Sequence, residues 1–463
     1  MFKRIATIVL VVASVGSNLF AQAKPGGFAR QAAMGGSQFS AGVVLNPYIV
    51  DDPALMYVNP AYQTMYKDYA WSNIGGGQLL GASTGNNGYG QQTAGINFSL
   101  SKELTVGALL SHDPSAANVV SGIIGGTIGG VAIGSLVRGR PVQTIPAIAN
   151  VWEAVGSYDA GALDLGFGIM YGSSNIDSMA SIAAPVVSSF EREASSSVFG
   201  VRGGVNFDLG GGSSFDGSAA LRLDKATDLI KSTTAGTAAN LGEYSASGTE
   251  IQVEIRLRLK MSNKVNFSPF GTFALLSAEP KEDAPPTGLQ PLTRTIDVSA
   301  LAYAIGVGGE YRTPSVYLAG GLSYQFARTK AEVADTGVIG TTTATASFTS
   351  LPLINLGGEY WFTDWLAGRA GYFRAVGSLK IEIEARNITF ESNRTLPHSF
   401  IILGGLNPAT WDGVVTLGIG LKFGNFALDA TISEEALRRG LGLLGSGDNI
   451  NTFGYLAGSY NFQ

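Results

Sequence analysis

Between Gln252 and Met261 the chain alternates without a break. Val253, Ile255, Leu257, Leu259 and Met261 fall on one face, and Gln252, Glu254, Arg256, Arg258 and Lys260 on the other. Only a period of two separates the sets this way, because strand side chains alternate between faces while helical positions recur about every 3.6 residues. Runs with one continuous apolar face recur along the chain at Ala94–Leu100, Leu104–Leu110, Leu163–Tyr171, Val201–Leu209, Leu301–Tyr311, Val316–Phe326, Leu366–Tyr372 and Val415–Leu421. The chain is therefore expected to be all-β.

The connections narrow the architecture. Short turns fall at Ser101–Glu103, Asp159–Ala162, Gly210–Ser214, Ser262–Lys264, Arg312–Pro314, Thr363–Asp364 and Gly424. Between them lie long segments: Asp113–Asn150, Ser173–Ser195, Lys225–Gly248, Ser277–Val298, Thr329–Thr345, Val376–Asp412 and Glu434–Asn451. Strict alternation of short and long connections is the pattern of a transmembrane antiparallel β-barrel, with turns at the periplasmic end and loops outside the cell. Lipid offers backbone polar groups no water, so such a sheet must close on itself. Because alternate residues face lipid, the mean hydropathy is only +0.19. Counted from Tyr69, the pattern gives about 16 strands, an even number that returns both ends to the periplasm.

Composition removes other classes. The 463 residues include no cysteine, 63 glycines and two histidines, and only 14% are charged. A disulfide scaffold and a thiolate metal site are excluded, and a histidine-rich metal centre is left little material, so neither metal nor cofactor is expected. A net charge of −5 with both signs dispersed gives nucleic acid no basic surface to bind. His112 and His398 lie near loops without a nucleophile beside them, so no enzyme is expected. Gly210-Gly211-Gly212 reads as a turn, since no helix follows to make a phosphate cradle.

The first 23 residues read as a secretory signal, with Lys3 and Arg4, an apolar stretch from Ile5 to Val15, and Ala21-Gln22-Ala23 before Lys24. The destination is the outer membrane of a Gram-negative-type bacterium. Trp361, Trp365 and Tyr311 flank short turns where an interfacial aromatic girdle belongs. Leu456, Gly458, Tyr460 and Phe462 share one face of a final strand that resembles the signal read by the outer-membrane assembly machinery.

Asp51-Asp52-Pro53-Ala54-Leu55-Met56-Tyr57-Val58-Asn59-Pro60-Ala61 resembles the D-P-A-x-x-x-x-N-P-A stretch of the FadL superfamily of outer-membrane proteins. Gly358-Glu359-Tyr360-Trp361-Phe362, the following Arg369-Ala370-Gly371-Tyr372-Phe373, and Leu428-Asp429-Ala430 are similar to strand motifs of its PorV branch. Two positions depart from the pattern: Tyr62 stands where glycine usually follows N-P-A, and Gly368 precedes Arg369 in place of leucine. The resemblance implies a barrel of about 14 strands, the number favoured here over the direct count, with residues 24–67 folded inward as a plug and residues 68–463 forming the wall. Transport members pass fatty acids or hydrocarbons passively; PorV-like members serve protein secretion and surface attachment. The expected partners are outer-membrane lipid and either a hydrophobic small molecule or a secreted-protein signal.

Three groups are candidate functional residues. Asn59, Pro60 and Ala61 would fix the plug against the wall. Glu254, Arg256, Arg258, Lys260 and Arg369 must face the lumen, because charge facing mid-bilayer lipid costs several kcal/mol. There they form a structural charge ladder with Glu310, Glu359 and Asp429 or contact a ligand carboxylate. Ile123, Ile124, Ile128, Val131 and Ile133 lie in a glycine-rich apolar segment, read as an extracellular loop over the barrel mouth that serves as a lid or as a first binding surface.

Overall fold

The computed structural model describes residues 26–38, 44–75, 91–112, 127–128, 131–132, 148, 150–182, 188–234, 237–285, 287–288, 294–335, 340–385, 388–396, 400–402, 405–407, 414–432 and 453–462. Residues 1–23, the expected secretory signal, lie outside them.

The wall is one closed antiparallel barrel of 16 staves. In chain order these are β1 (Tyr69–Gly75), β2 (Gln91–Ser99), β3 (Leu104–His112), β4 (Val151–Asp159), β5 (Leu163–Ile182), β6 (Ser188–Gly210), β7 (Ser213–Thr234) and β8 (Thr237–Lys260). β9 runs as Val265–Phe267 and Phe270–Ala284, followed by β10 (Arg294–Arg312), β11 (Val316–Asp335), β12 (Gly340–Trp361) and β13 (Leu366–Ala385). β14 is likewise in two pieces, Ile388–Leu396 and Val414–Phe423, and β15 (Phe426–Ile432) and β16 (Phe453–Asn461) complete the wall. β16 pairs with β1 from Tyr455↔Gly75 to Asn461↔Tyr69, which closes the sheet. The direct strand count from Tyr69 thus holds, and the 14 expected from the family resemblance is corrected. The first pair of the direct count, β1 and β2, each has a partner on both sides.

Side chains alternate across the wall as the period requires. Phe167, Ile169, Leu223, Ile255, Leu318 and Leu356 are exposed on the outer surface, while the intervening residues are buried inside. A closed sheet with a continuous outer apolar surface is the architecture of an outer-membrane protein. At the turn after β12, Tyr360, Phe362 and Trp365 are exposed outward and Trp365 stacks on Phe423. Trp361 has the opposite parity, and its indole N–H donates to Glu359 at 3.2 Å. The girdle at this turn is therefore carried by Trp365 and two residues that the sequence reading passed over, with Trp361 turned inward.

The long connections need a second correction. Ser173–Ser195, Lys225–Gly248 and Thr329–Thr345 are mostly hairpin extensions of the wall. β5 to β8 run 20 to 24 residues, about twice the 9–11 that cross a bilayer, so this sector stands well beyond the membrane. In β12, Leu351 and Pro352 interrupt pairing to both neighbours. The bulge changes parity: Ala346, Phe348 and Ser350 are buried before it, Leu353 and Asn355 after it.

Candidate functional site in the barrel interior

Residues 26–38 and 44–66 pack on the inward face of the wall, as a short helix (α1, Phe28–Ala33), a two-residue ladder (Ser37–Gln38 with Val44–Leu45) and two 3-10 turns, Pro53–Tyr57 and Pro60–Met65. Each turn begins on a side chain that caps it: Asp52 accepts from the Ala54 N–H and Asn59 from the Ala61 N–H, both at 2.9 Å, with proline following as first residue.

The segment touches every stave. Asn97 donates to Tyr66 O on one side, Arg202 to Met56 O and Tyr62 to Asp216 on the next. Arg256 donates to Ile49 O, Tyr48 to Leu322 O, and Asn355 to Gly35 O. Thr416 and Thr431 donate to Ala33 O and Ala29 O, and the Gly26 N–H is accepted by Asp429 at 2.8 Å. Glycine makes this approach possible. A Cβ on Gly204 would lie 2.0 Å from Asn59 Oδ1, and one on Gly166 2.2 Å from Ala61 N. Gly357 and Gly371 likewise give way to Met34 and Gly35, and Gly308 and Gly321 to the Tyr48 ring.

Asn59, Pro60 and Ala61 therefore sit together against β6 and β7, with Asn59 Nδ2 donating to Val205 O at 3.0 Å and Gly217 O at 3.3 Å. Arg30, which the sequence reading missed, lies at the centre of a buried ionic cluster. It pairs with Asp52 and Glu359, each at 3.0 Å. Arg369 pairs with the same Glu359 at 2.6 Å and with Asp429 at 2.5 Å. Burial pushes the Asp52 carboxyl up to about 6, against the pull of Arg30 and of two backbone N–H groups. The carboxylates around Arg30 hold its guanidinium charged, above its ordinary value, despite burial.

The lumen residues divide. Arg256 pairs with Asp216 at 3.3 Å, and Arg258 pairs with Glu310. Glu254 is half-buried beside them, whereas Lys260 is exposed where β8 meets its turn. Beyond the N-terminal segment the interior has two unlike sectors. On β6–β8, Arg192 grips Asp228 through two bonds of 2.8 and 2.9 Å, Arg222 meets Glu250 at 3.3 Å, and Asp224 lies among them. On β9–β13 the buried inward positions include Leu276, Val298, Ala331, Ala346, Phe348 and Phe373.

Of the apolar loop candidates, Ile128 and Val131 pair in a two-residue antiparallel ladder; Ile123, Ile124 and Ile133 lie outside the described residues, as does His398. His112 is the last residue of β3. Among the described residues no group of three or more His, Asp or Glu side chains could hold a metal.

The chain matches no protein-family model and no curated protein. Among solved structures it is similar to the toluene transporter TodX of Pseudomonas putida, at 11% identity over 96% of this chain and 100% of that one, with a TM-score of 0.35. A FadL homologue of Pseudomonas aeruginosa aligns at 12% identity over 96% and 100%, with a TM-score of 0.39. The toluene transporter TbuX of Ralstonia pickettii aligns at 10% over 95% and 99%, with a TM-score of 0.34. At scores this low, the wall and its interior carry the functional argument.

Proposed function

We propose that this chain is an outer-membrane channel for passive uptake of hydrophobic small molecules of the fatty-acid or hydrocarbon class, with residues 26–66 as its internal plug. The observation that carries the reading is the apolar inner sector of β9–β13. A water-filled diffusion pore is polar inside; aliphatic and phenylalanine side chains on the inner wall instead give an apolar solute a surface on which it leaves water, which is favourable. The charged sector on β6–β8 adjoins this apolar sector, since β8 pairs directly with β9, and would orient an amphiphile. Arg256, Arg258 and Arg369 are already engaged by carboxylates, which favours a structural ladder over head-group binding for these three. The resemblance of Asp52–Ala61 to the FadL superfamily supports both the plug and the solute class.

The test is uptake of radiolabelled oleate by cells with intact outer membranes, with and without the gene, alongside a census of surface and secreted proteins. Lost uptake with an unchanged census is expected. Normal uptake with secreted proteins held in the periplasm would overturn the proposal in favour of the secretion role.

A further inference from the structure

The outer wall carries a groove of about 880 Å³ near the short-turn end, within the range of small-molecule sites. Its floor is made of small residues that face outward on four adjacent staves. Gly309 pairs in register with Gly320, and Gly358 with Ala370. Its ridges are Leu318, Leu356, Tyr372, Tyr311 and Phe267, and its foot is the turn from Met261 to Val265.

The fold does not demand glycine at one of these floor positions. Gly358 has an ordinary φ, and a Cβ there would meet only Leu318 Cδ2 at 3.2 Å and Ala370 O at 4.0 Å. The inward glycines of the same strands, such as Gly308 and Gly357, make room for Tyr48 and Met34; Gly358 is approached closely only by the methyl end of the flexible Leu318 side chain. What it leaves open is the groove. Lys264 stands exposed in the turn at the foot and makes no ion pair among the described residues. An apolar trough that opens to lipid, ends at the aromatic level and has a free cation at that end matches one molecule in chemistry and polarity. We infer that this groove binds a glycerophospholipid of the periplasm-facing leaflet, with one acyl chain laid over Gly309, Gly320 and Gly358 and its phosphate at Lys264.

The full chain, reconstituted in discs of phosphatidylethanolamine and phosphatidylglycerol, would be irradiated with phosphatidylethanolamine bearing a diazirine on one acyl chain, and the adducts mapped by mass spectrometry. Adducts at Leu318–Gly320 and Leu356–Gly358 should exceed those at the outward residues Phe167 and Ile169 by roughly tenfold. Gly358→Leu should abolish the excess and Lys264→Glu reduce it, each with the folded barrel retained by its heat-modifiable gel mobility. Even labelling around the wall of the unsubstituted protein would overturn the inference. So would an excess that survives both substitutions, or cross-links from this face to a second copy of the chain.

Discussion

Replacing Arg30 with alanine gives the sharpest test of the interior network. The side chain is buried and bridges Asp52 to Glu359, with a further bond to Asp51 O. Breaking a buried ion pair by removing one partner costs about 3–5 kcal/mol, chiefly through the charge left behind. Here the two stranded carboxylates fare differently. Glu359 keeps Arg369 at 2.6 Å. Asp52 keeps the Gly27 and Ala54 N–H groups at 2.8 and 2.9 Å and, with a pKa already raised to about 6, escapes by taking up a proton. The expected loss is therefore at the low end, about 3 kcal/mol. At roughly 1.4 kcal/mol per decade, the ratio of docked to released N-terminal segment should fall about a hundredfold. Single-channel recording in planar bilayers should show openings more frequent by about that factor, and residues 26–66 should become accessible to added protease while the barrel keeps its folded gel mobility. A folded barrel whose segment stays protected and whose conductance is unchanged would refute the assignment of Arg30 as the principal tie.

Asp52→Asn should flatten the pH dependence of segment docking. With a folded value raised from 3.8 to about 6, this group's stabilisation is complete below pH 4 and is lost as pH rises through about 6; protease protection across pH 4 to 7 measures the difference. Gly204→Val should expel the Asn59–Ala61 turn, since its Cβ would fall 2.0 Å from Asn59 Oδ1. Overpacking of this kind costs about 1–3 kcal/mol, and raised protease access to the segment reports it. Ala346→Glu, within the apolar inner sector, should lower oleate uptake by at least about tenfold without changing barrel yield, read as uptake per folded protein.

The wall was largely legible from sequence because lipid enforces period two. That rule operates only within the bilayer. The strand ends around Ser188–Ser197 and Thr341–Thr345 need no apolar face outside it and so read as loops, although pairing continues through both. The interior was harder. Arg30 and Glu359 stand 329 residues apart, and no local spacing links them. One signal was present but unused: the glycine doublets Gly203-Gly204, Gly308-Gly309, Gly320-Gly321 and Gly357-Gly358 sit in mid-strand, where they weaken a sheet unless something approaches closely. Each provides at least one inward position against which the N-terminal segment, or Tyr48 within it, comes to rest.

The contact of the segment with every stave also constrains the order of assembly. Its first residues are bound by the last to be made: the Gly26 N–H by Asp429, 403 positions later, and Ala29 O by Thr431. The segment can be complete in its seat only after β15 and β16 have both joined the sheet, because Phe28 and Ala29 pack in one cluster with Tyr455 and Ala457 of β16. A chain truncated before β15 would thus carry an N-terminal arm without its partners Asp429 and Thr431 on β15 and Tyr455 and Ala457 on β16, and closure of the cylinder and seating of its contents become one late event.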